Sequence, residues 1–384
     1  MQFSYYLLIM AGLAGHLAFW IDINNRLHAN ALPCLVIRVL SKLIYITVLV
    51  IPPGLFWAVQ TAALPAWIPA GYIGLCWLMF AMIAARWVQR RWFTRPSPHL
   101  ISNHTKQVNV VQRLGRRPVS PRWTRGTILT RVPRNEIFDL SVHEKRIRLP
   151  RLAAALDGLS IVHLSDLHFT GDLQIDFFHE LVDQANLLNG DLVCITGDII
   201  DHPRCLPWIG ETLSRLQSRE GCFCVLGNHD KRLRDQRGLR DALDAAGLES
   251  LGGHSIFRTV RGHKIMLAGN ELPWYGPAPE LTANTGEQEN CSLRLLLAHS
   301  PDQVFWARRN RFDLMLAGHT HGGQLCLPLI GPWICPSRYG VRFAAGVYDL
   351  PPTLMHVSRG ISALRPLRWN CPPELTRMVL KSAD

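Results

Sequence analysis

The chain has 384 residues, 48% of them apolar, and 41 Lys and Arg against 29 Asp and Glu leave a net charge of +12. That length holds one large domain with an appendage, and so basic a balance admits nucleic acid, anionic lipid or an acidic substrate as partner. Zinc-finger spacing, a basic zipper and an aromatic RNA-binding signature are all missing, so no nucleic acid is expected. Ten cysteines without a Cys-x-x-Cys pair read as free thiols suited to a reducing compartment.

The first elements are apolar. Phe3–Trp20 is an uncharged run of eighteen residues, just long enough for a bilayer span. Leu43–Ala63 is a second run, interrupted by Pro52 and Pro53, which are expected to kink it. Ile68–Ala85 is a third, after a short turn around Leu64–Trp67. Three such runs are hard to bury in a soluble fold. Trp20, Trp57, Trp67, Trp87 and Trp92 lie mostly near their ends, where aromatic belts sit. Arg26, Arg38 and Lys42 follow the first run, and Arg86, Arg90, Arg91 and Arg95 follow the third. With three spans these basic segments share one side, which is expected to be cytoplasmic. Residues 1–92 are therefore expected to form a multi-pass anchor in the inner (cytoplasmic) membrane, with membrane lipid as a partner and the remaining chain in the cytoplasm.

Residues 93–136 are rich in Pro, Arg, Ser and Thr without a sustained period and are expected to be a linker. Its arginines either lie along anionic headgroups or sit solvated. Ile137–Leu149 alternates and is predicted to be the first strand of a soluble domain over 137–384. Further β-like runs follow at Leu159–Leu164, Leu192–Thr196, Cys222–Leu226, Leu293–Leu297 and Leu314–Ala317, with helical stretches among them, so the domain reads as α/β. In Cys222–Leu226 the thiols of Cys222 and Cys224 are expected to share one face as small hydrophobes.

Each of these runs gives out at residues fit for chemistry: Asp166 and His168, Gly197-Asp198, Gly227-Asn228-His229-Asp230, His299, and Gly318-His319-Thr320-His321. Open sheets gather functional groups beyond the carboxyl ends of their strands. Imidazole, carboxylate and amide oxygen without thiolate suit a divalent Mn, Fe or Zn. Two metals sharing one carboxylate would drive displacement at phosphorus. Asp166 and His168, two apart in extended backbone, are expected to share a face. Asp198, with two oxygens, is the natural bridge, and Gly197 permits a sharp turn before it. Asn228 offers an amide oxygen, and His229 can face the substrate as a proton donor. Asp230 either orients that ring or caps the helix expected near Lys231–Arg240, and capping is the expectation. His319 and His321 read as one ligand to each metal and His299 as a further nitrogen, whereas His163, His254 and His263 are assigned to structure.

These blocks resemble the calcineurin-like metallophosphoesterase superfamily over about Leu140–Leu380. Gly322-Gly323-Gln324, Val357-Ser358-Arg359-Gly360 and Leu367–Glu374 are similar to its membrane-anchored bacterial branch. The resemblance implies a four-layer αββα sandwich of two mixed sheets. It implies one metal on Asp166, His168, Asp198 and His321, and another on Asp198, Asn228, His299 and His319. It implies attack by a hydroxide bridging two divalent ions, manganese first among the candidates, with His229 as general acid. A phosphodiester or pyrophosphate in an amphipathic, lipid-linked substrate is expected, with UDP-2,3-diacylglucosamine, cleaved in lipid A biosynthesis, as the concrete candidate. The alternatives are a phospholipid headgroup phosphodiesterase, a phosphoprotein or nucleotide phosphatase, and a non-catalytic membrane adaptor. Ala298-His299-Ser300, Gly269-Asn270-Glu271 and Ile361-Ser362-Ala363 depart from the branch pattern, which bears on specificity.

Overall fold

The structure, a computed structural model, describes residues 2–61, 63–89, 97–281 and 291–383. Two compact units divide the chain: Met1–Arg95 with Pro336–Gly340, and Pro96–Cys335 with Val341–Asp384. Arg90, Arg91, Trp92 and Arg95, on which the expected topology partly depends, lie outside the described residues.

The first unit holds α1 (Gln2–His28), α2 (Cys34–Thr61) and α3 (Trp67–Val88). All three are long and apolar enough to cross a membrane. They extend the three apolar runs by several residues, because a helix continues through flanking polar residues that hydropathy excludes. α2 runs through Pro52 and Pro53 as one helix. Within the bundle His16 reaches the Tyr72 hydroxyl (2.7 Å) and Val48 O (3.0 Å), so polar groups on apolar helices satisfy one another.

The second unit is built on two mixed sheets. Among the described residues the first has the order β1-β2-β15-β3-β4-β5-β6. Its strands are β1 (Leu100–Asn109), β2 (Asp139–Arg148), β15 (Glu374–Lys381), β3 (Ser160–Leu164), β4 (Leu192–Thr196), β5 (Cys222–Val225) and β6 (Leu248–Ser250). The second sheet has the order β13-β14-β10-β9-β8-β7. It comprises β13 (Gly346–Leu350), β14 (Thr353–Val357), β10 (Leu314–Ala317), β9 (Leu293–Ala298), β8 (His263–Asn270) and β7 (Ser255–Val260).

Alternation along each strand divides the side chains between layers. In β3 and β4, Ile161, Leu192 and Cys194 enter the core between the sheets, while Val162, Leu164, Val193 and Ile195 meet the helices Ile175–Leu187 and Gln236–Ala245. In β9 and β10, Leu295, Leu297, Leu314 and Leu316 face the same inter-sheet core, while Leu296 and Met315 pack under the helix Val304–Arg309. The result is the helix–sheet–sheet–helix sandwich. Strands buried on both faces explain why the sequence shows continuous apolar runs rather than alternation. Cys222 and Cys224 do share one face, turned to the helices.

The segment expected as a linker differs. β1 pairs antiparallel with β2 along its length, from Leu100 opposite Ile147 to Asn109 opposite Asp139. Two short helices, Val110–Leu114 and Arg125–Leu129, follow it. β1 is the sheet edge and is largely exposed, so the sequence Leu-Ile-Ser-Asn-His-Thr-Lys-Gln-Val-Asn has no apolar face to betray a strand. Ile137–Leu149 is therefore the second strand of the sheet, not the first.

Candidate metal centre

β3, β4, β5, β9 and β10 all end at the same rim, and each expected residue lies just past its strand. Asp166 and His168 are not in extended backbone. Both take left-handed dihedrals (φ 56° and 51°), as do Asp198 (53°), His319 (70°) and His321 (51°). Such backbone is rare outside glycine, and it clusters at functional sites. The turns bring the side chains together where a pleat would only have lined them up. Pairing across the rim holds them: Asp166 N donates to Gly197 O (3.0 Å) and His168 N to Asp198 O (2.9 Å). Close approach also demands Gly318, since a Cβ there would overlap Ser165 Oγ and Asp166 Oδ2.

Among the described residues the donor atoms form three groups: two share Asp198, and a third, His168, Asp201 and His229, lies beside them. Of the two, Asp166, His168, Asp198 and His321 make one; Asp198, His299 and His319 make the other, with the atoms of each within 4.8 Å of one another. Asp198 Oδ2 is 3.7 Å from His168 Nε2 and 3.3 Å from His299 Nε2. Its Oδ1 accepts from His229 N (2.7 Å). Asn228 Oδ1 joins the second group, 3.1 Å from His299 Nε2. His319 is tied in through its backbone N–H, which donates to Asp166 Oδ1 and Oδ2 (3.1 Å each), and its ring packs against those of Trp274 and His299.

Three imidazoles set Nδ1 against an oxygen acceptor. Nδ1–H of His168 donates to Asp201 Oδ2 (2.6 Å), that of His299 to Thr196 O (2.7 Å) and that of His321 to Ser362 O (3.2 Å). When neutral, the rings of His168 and His299 present an Nε2 lone pair to the centre, while His321 Nδ1 also lies 3.4 Å from the Arg368 guanidinium. His168 Nε2 and His321 Nε2 then face each other at 3.2 Å, and His321 Nε2 is 3.4 Å from Asp166 Oδ1. Buried carboxylates and ring nitrogens so arranged need positive charge among them, from protons on the rings or from metal ions. The residues therefore fit two divalent ions.

With no ion bound, the rings themselves supply the balancing charge. Burial opposes the charge on Asp198, yet His299, His229 and His168 hold it well below the usual carboxylate range. Burial depresses His299, but Asp198 and Asp166 lift it to about 9. Burial, reinforced by His168 and Arg368, keeps His321 neutral and therefore a good donor.

The sequence reading missed Asp201. Its two oxygens accept from His168 Nδ1 and His229 Nδ1, and Oδ1 also accepts from Arg232 (2.7 Å). It thus orients one ring inside the centre and the His229 ring at its partly exposed mouth. Asp230, expected to cap a helix, accepts instead from the backbone N–H of Ile199, Ile200 and Gly227, pinning the β4 and β5 loops together. The helix Gln236–Ala245 is capped by Asp235. Arg368, fully buried, donates to Ser362 O and Arg359 O behind His321. Glu271, one of the departures from the branch pattern, holds Leu226 N and pairs with Arg240, buttressing the end of β5.

A buried polar line runs under the centre. Lys145 Nζ donates to Glu374 and to His356 Nε2; His356 Nδ1 meets His163 Nδ1, and His163 Nε2 meets Thr196 Oγ1. Thr196 then donates to Ser165, and Ser165 to Asp166 Oδ2. Directions along this line are consistent only if both imidazoles are neutral. Burial pushes His356 and, nearer the edge, His143 down to about 4. The ordinary histidine value is about 6.5, so between about 6.5 and 4 the unfolded chain binds more protons and stability falls with falling pH. Each contributes a loss of about 1.4 kcal/mol per pH unit in that window. Asp230, raised to about 7 by burial and Asp198, acts with the opposite sign in this window, so the readout is a difference. In urea unfolding of chelator-treated protein, His356→Gln is expected to lose less stability than the wild type as pH falls from about 6.5 to 4, and an equal pH dependence would refute the assignment.

Residues 159–323 match the calcineurin-like phosphoesterase family. The metallophosphoesterase YkuE of Bacillus subtilis is 30% identical over 246 residues, 63% of this chain and 85% of its own length. The phosphodiesterase YaeI of Escherichia coli is 30% identical over 57% of this chain and 81% of its own. The chain belongs to the calcineurin-like phosphoesterases. A more distant phosphoesterase, UDP-2,3-diacylglucosamine pyrophosphatase LpxG of Chlamydia muridarum, is 25% identical over 60% of this chain and 86% of its own. As a calcineurin-like phosphoesterase the protein is a hydrolase of phosphoesters from a dinuclear-metal family, and it carries residues that could hold metal ions.

Proposed function

We propose that the protein is a membrane-anchored phosphodiesterase or pyrophosphatase whose substrate is lipid-linked. The observation that carries this reading is Asp198, common to both donor groups and lying behind a histidine at the mouth. Asp166, His168, Asp198 and His321 would hold one ion, and Asp198, Asn228, His299 and His319 the other. When bound, the pair supplies Lewis acidity toward the phosphoryl oxygens and a water ionised near neutral pH. Nitrogen and oxygen donors without thiolate suit manganese, with iron or zinc as alternatives. Asp198 and Asp166 offset the charge of the ions. His229, steered by Asp201 through Nδ1 and with Nε2 3.4 Å from Arg232, would give a proton to the departing oxygen.

Three apolar helices in the same chain favour an amphipathic substrate, and the similarity to the pyrophosphatase LpxG makes UDP-2,3-diacylglucosamine the concrete candidate. Cleavage there belongs to lipid A synthesis and would place the domain on the cytoplasmic face of the inner membrane. The test is UMP release from that substrate by the detergent-solubilised, Mn-loaded protein, with Asp198→Asn as blank and an aryl phosphodiester as control. No release, with the aryl diester still cut, would discard this substrate in favour of another membrane phosphoester such as a phospholipid headgroup.

Asp201 gives this reading an independent check. Asp201→Asn leaves every proposed ligand in place but loosens the rings of His168 and His229. Metal affinity is expected to fall about 10- to 100-fold, as for other groups that orient a ligand, and turnover to fall at saturating metal as well. Titration with Mn followed by assay separates the two; an unchanged metal affinity would show that Asp201 does not set the His168 ring.

A further inference from the structure

The hairpin that leaves the metal centre is oddly dressed. Just past His321 the chain forms β11 (Cys326–Leu327) and β12 (Gly331–Pro332), with Leu329 and Ile330 at the tip. Leu329 is 87% exposed and holds left-handed backbone (φ 66°), a conformation that bulky side chains rarely adopt. Nothing in a water-facing loop calls for two large aliphatic side chains there.

The tip is one corner of a continuous face. Cys326 N donates to Trp369 O (2.9 Å) and Trp369 N to Gln324 O (3.1 Å), so the hairpin base is stitched to the loop carrying Leu364 and Trp369, both exposed. Asn135 in turn donates to Pro366 O (2.8 Å) and Leu129 O (2.9 Å), joining that loop to the short helix Arg125–Leu129 and its neighbours. Trp123, 73% exposed, and Ile128 stand out from this last segment.

Charge within the three segments has one sign, and the two carboxylates that adjoin them, Glu136 and Asp172, are half-buried and accept hydrogen bonds from Cys371 N and Thr124. Residues 118–135, 322–335 and 361–370 contain no Asp or Glu. Arg122, Arg125, Arg131 and Arg134 are exposed on the first segment and Arg365 on the third. Arg131 lies over the Trp123 ring at 4.1 Å, an arrangement that keeps a cation beside an interfacial aromatic.

We propose that this face docks the phosphoesterase domain onto an anionic bilayer surface, with Leu329 and Ile330 entering the boundary between headgroups and acyl chains. Exposed aliphatic and Trp side chains ringed by arginine are the composition that interfacial segments use, and each Arg near an anionic leaflet adds attraction that salt screens. The three apolar helices make a bilayer available to the same chain. Docking here is a property of the domain and holds whichever phosphoester is cleaved. Because the hairpin begins just after the His321 turn, the face borders the mouth, and a lipid-held phosphoester would meet it without leaving its leaflet.

The experiment uses the full chain reconstituted in phosphatidylglycerol vesicles, in phosphatidylcholine vesicles and in detergent, read by backbone hydrogen exchange. Amides of 325–334 and 122–132 are expected to exchange severalfold more slowly in phosphatidylglycerol than in the other two, and molar salt to remove most of the difference. The paired substitution Leu329→Asp with Ile330→Asp is expected to abolish that protection at 325–334 while hydrolysis of a soluble aryl phosphodiester stays intact. Equal exchange in all three preparations overturns the proposal. So does protection that persists in detergent and grows with protein concentration, which would assign the face to a second copy of the chain. The wild-type comparison needs no variant and stands even if the double substitution fails to fold.

Discussion

Asp198→Asn is expected to lower phosphodiester hydrolysis about a thousandfold, the equivalent of about 4 kcal/mol of transition-state stabilisation. It is also expected to release both metals together. The reason lies in the shared oxygen: Asp198 Oδ2 sits between His168 Nε2 and His299 Nε2, so one carboxylate completes both donor groups. An amide keeps the shape and loses the charge, and its NH2 would point a donor at a cation. Elemental analysis of the purified variant beside its activity reads both effects. A protein that kept two ions per chain and near-normal rates would remove Asp198 from the bridging role. One that lost a single ion would assign it to one group only.

His229→Ala is expected to behave in the opposite way: full metal content, and turnover reduced by about 10²- to 10⁴-fold. Its ring is held to Asp201 at the mouth, and His229 belongs to neither of the two groups that share Asp198. Removing it leaves the contact between His168 and Asp201 intact. The loss should depend on the leaving group. A nitrophenolate departs without help, so an aryl diester is expected to lose little, whereas an alkoxide or nucleotide leaving group needs the proton and should lose most. Parallel assays on the two substrate types test this. Loss of metal from His229→Ala, or an equal loss on both substrates, would break the division of roles.

Much of this was legible before any coordinates. Five of the runs read as β-like are strands that end within a residue or two of their expected limits, because strands buried on both faces write themselves as unbroken apolar sequence. The residues following them converge for the topological reason that parallel strands of two packed sheets share a rim. What could not be read was how they converge. The left-handed turns at Asp166, His168 and Asp198 follow no composition rule, since aspartate and histidine reveal nothing of φ until the neighbouring strand fixes it. β1 was hidden by its polarity, as an exposed edge has no face to hide. Asp201 and Arg368 were silent for a different reason. Each acts on a ring contributed by another strand, at a sequence distance set by the fold and by no local spacing.

The strand order has a consequence for how the protein is made. β15 (Glu374–Lys381) lies between β2 and β3, parallel to one and antiparallel to the other. A nascent chain emerging from the ribosome therefore has β2 and β3 long before it has the strand that separates them, and must keep them from closing on each other. β15 is a keystone inserted last. Until it arrives, Glu374 cannot complete the buried line from Lys145 toward Asp166, and the rim that gathers the ions has no floor. A chain truncated before Glu374 is therefore expected to lose both the buried line and the pairing that joins β2 to β3.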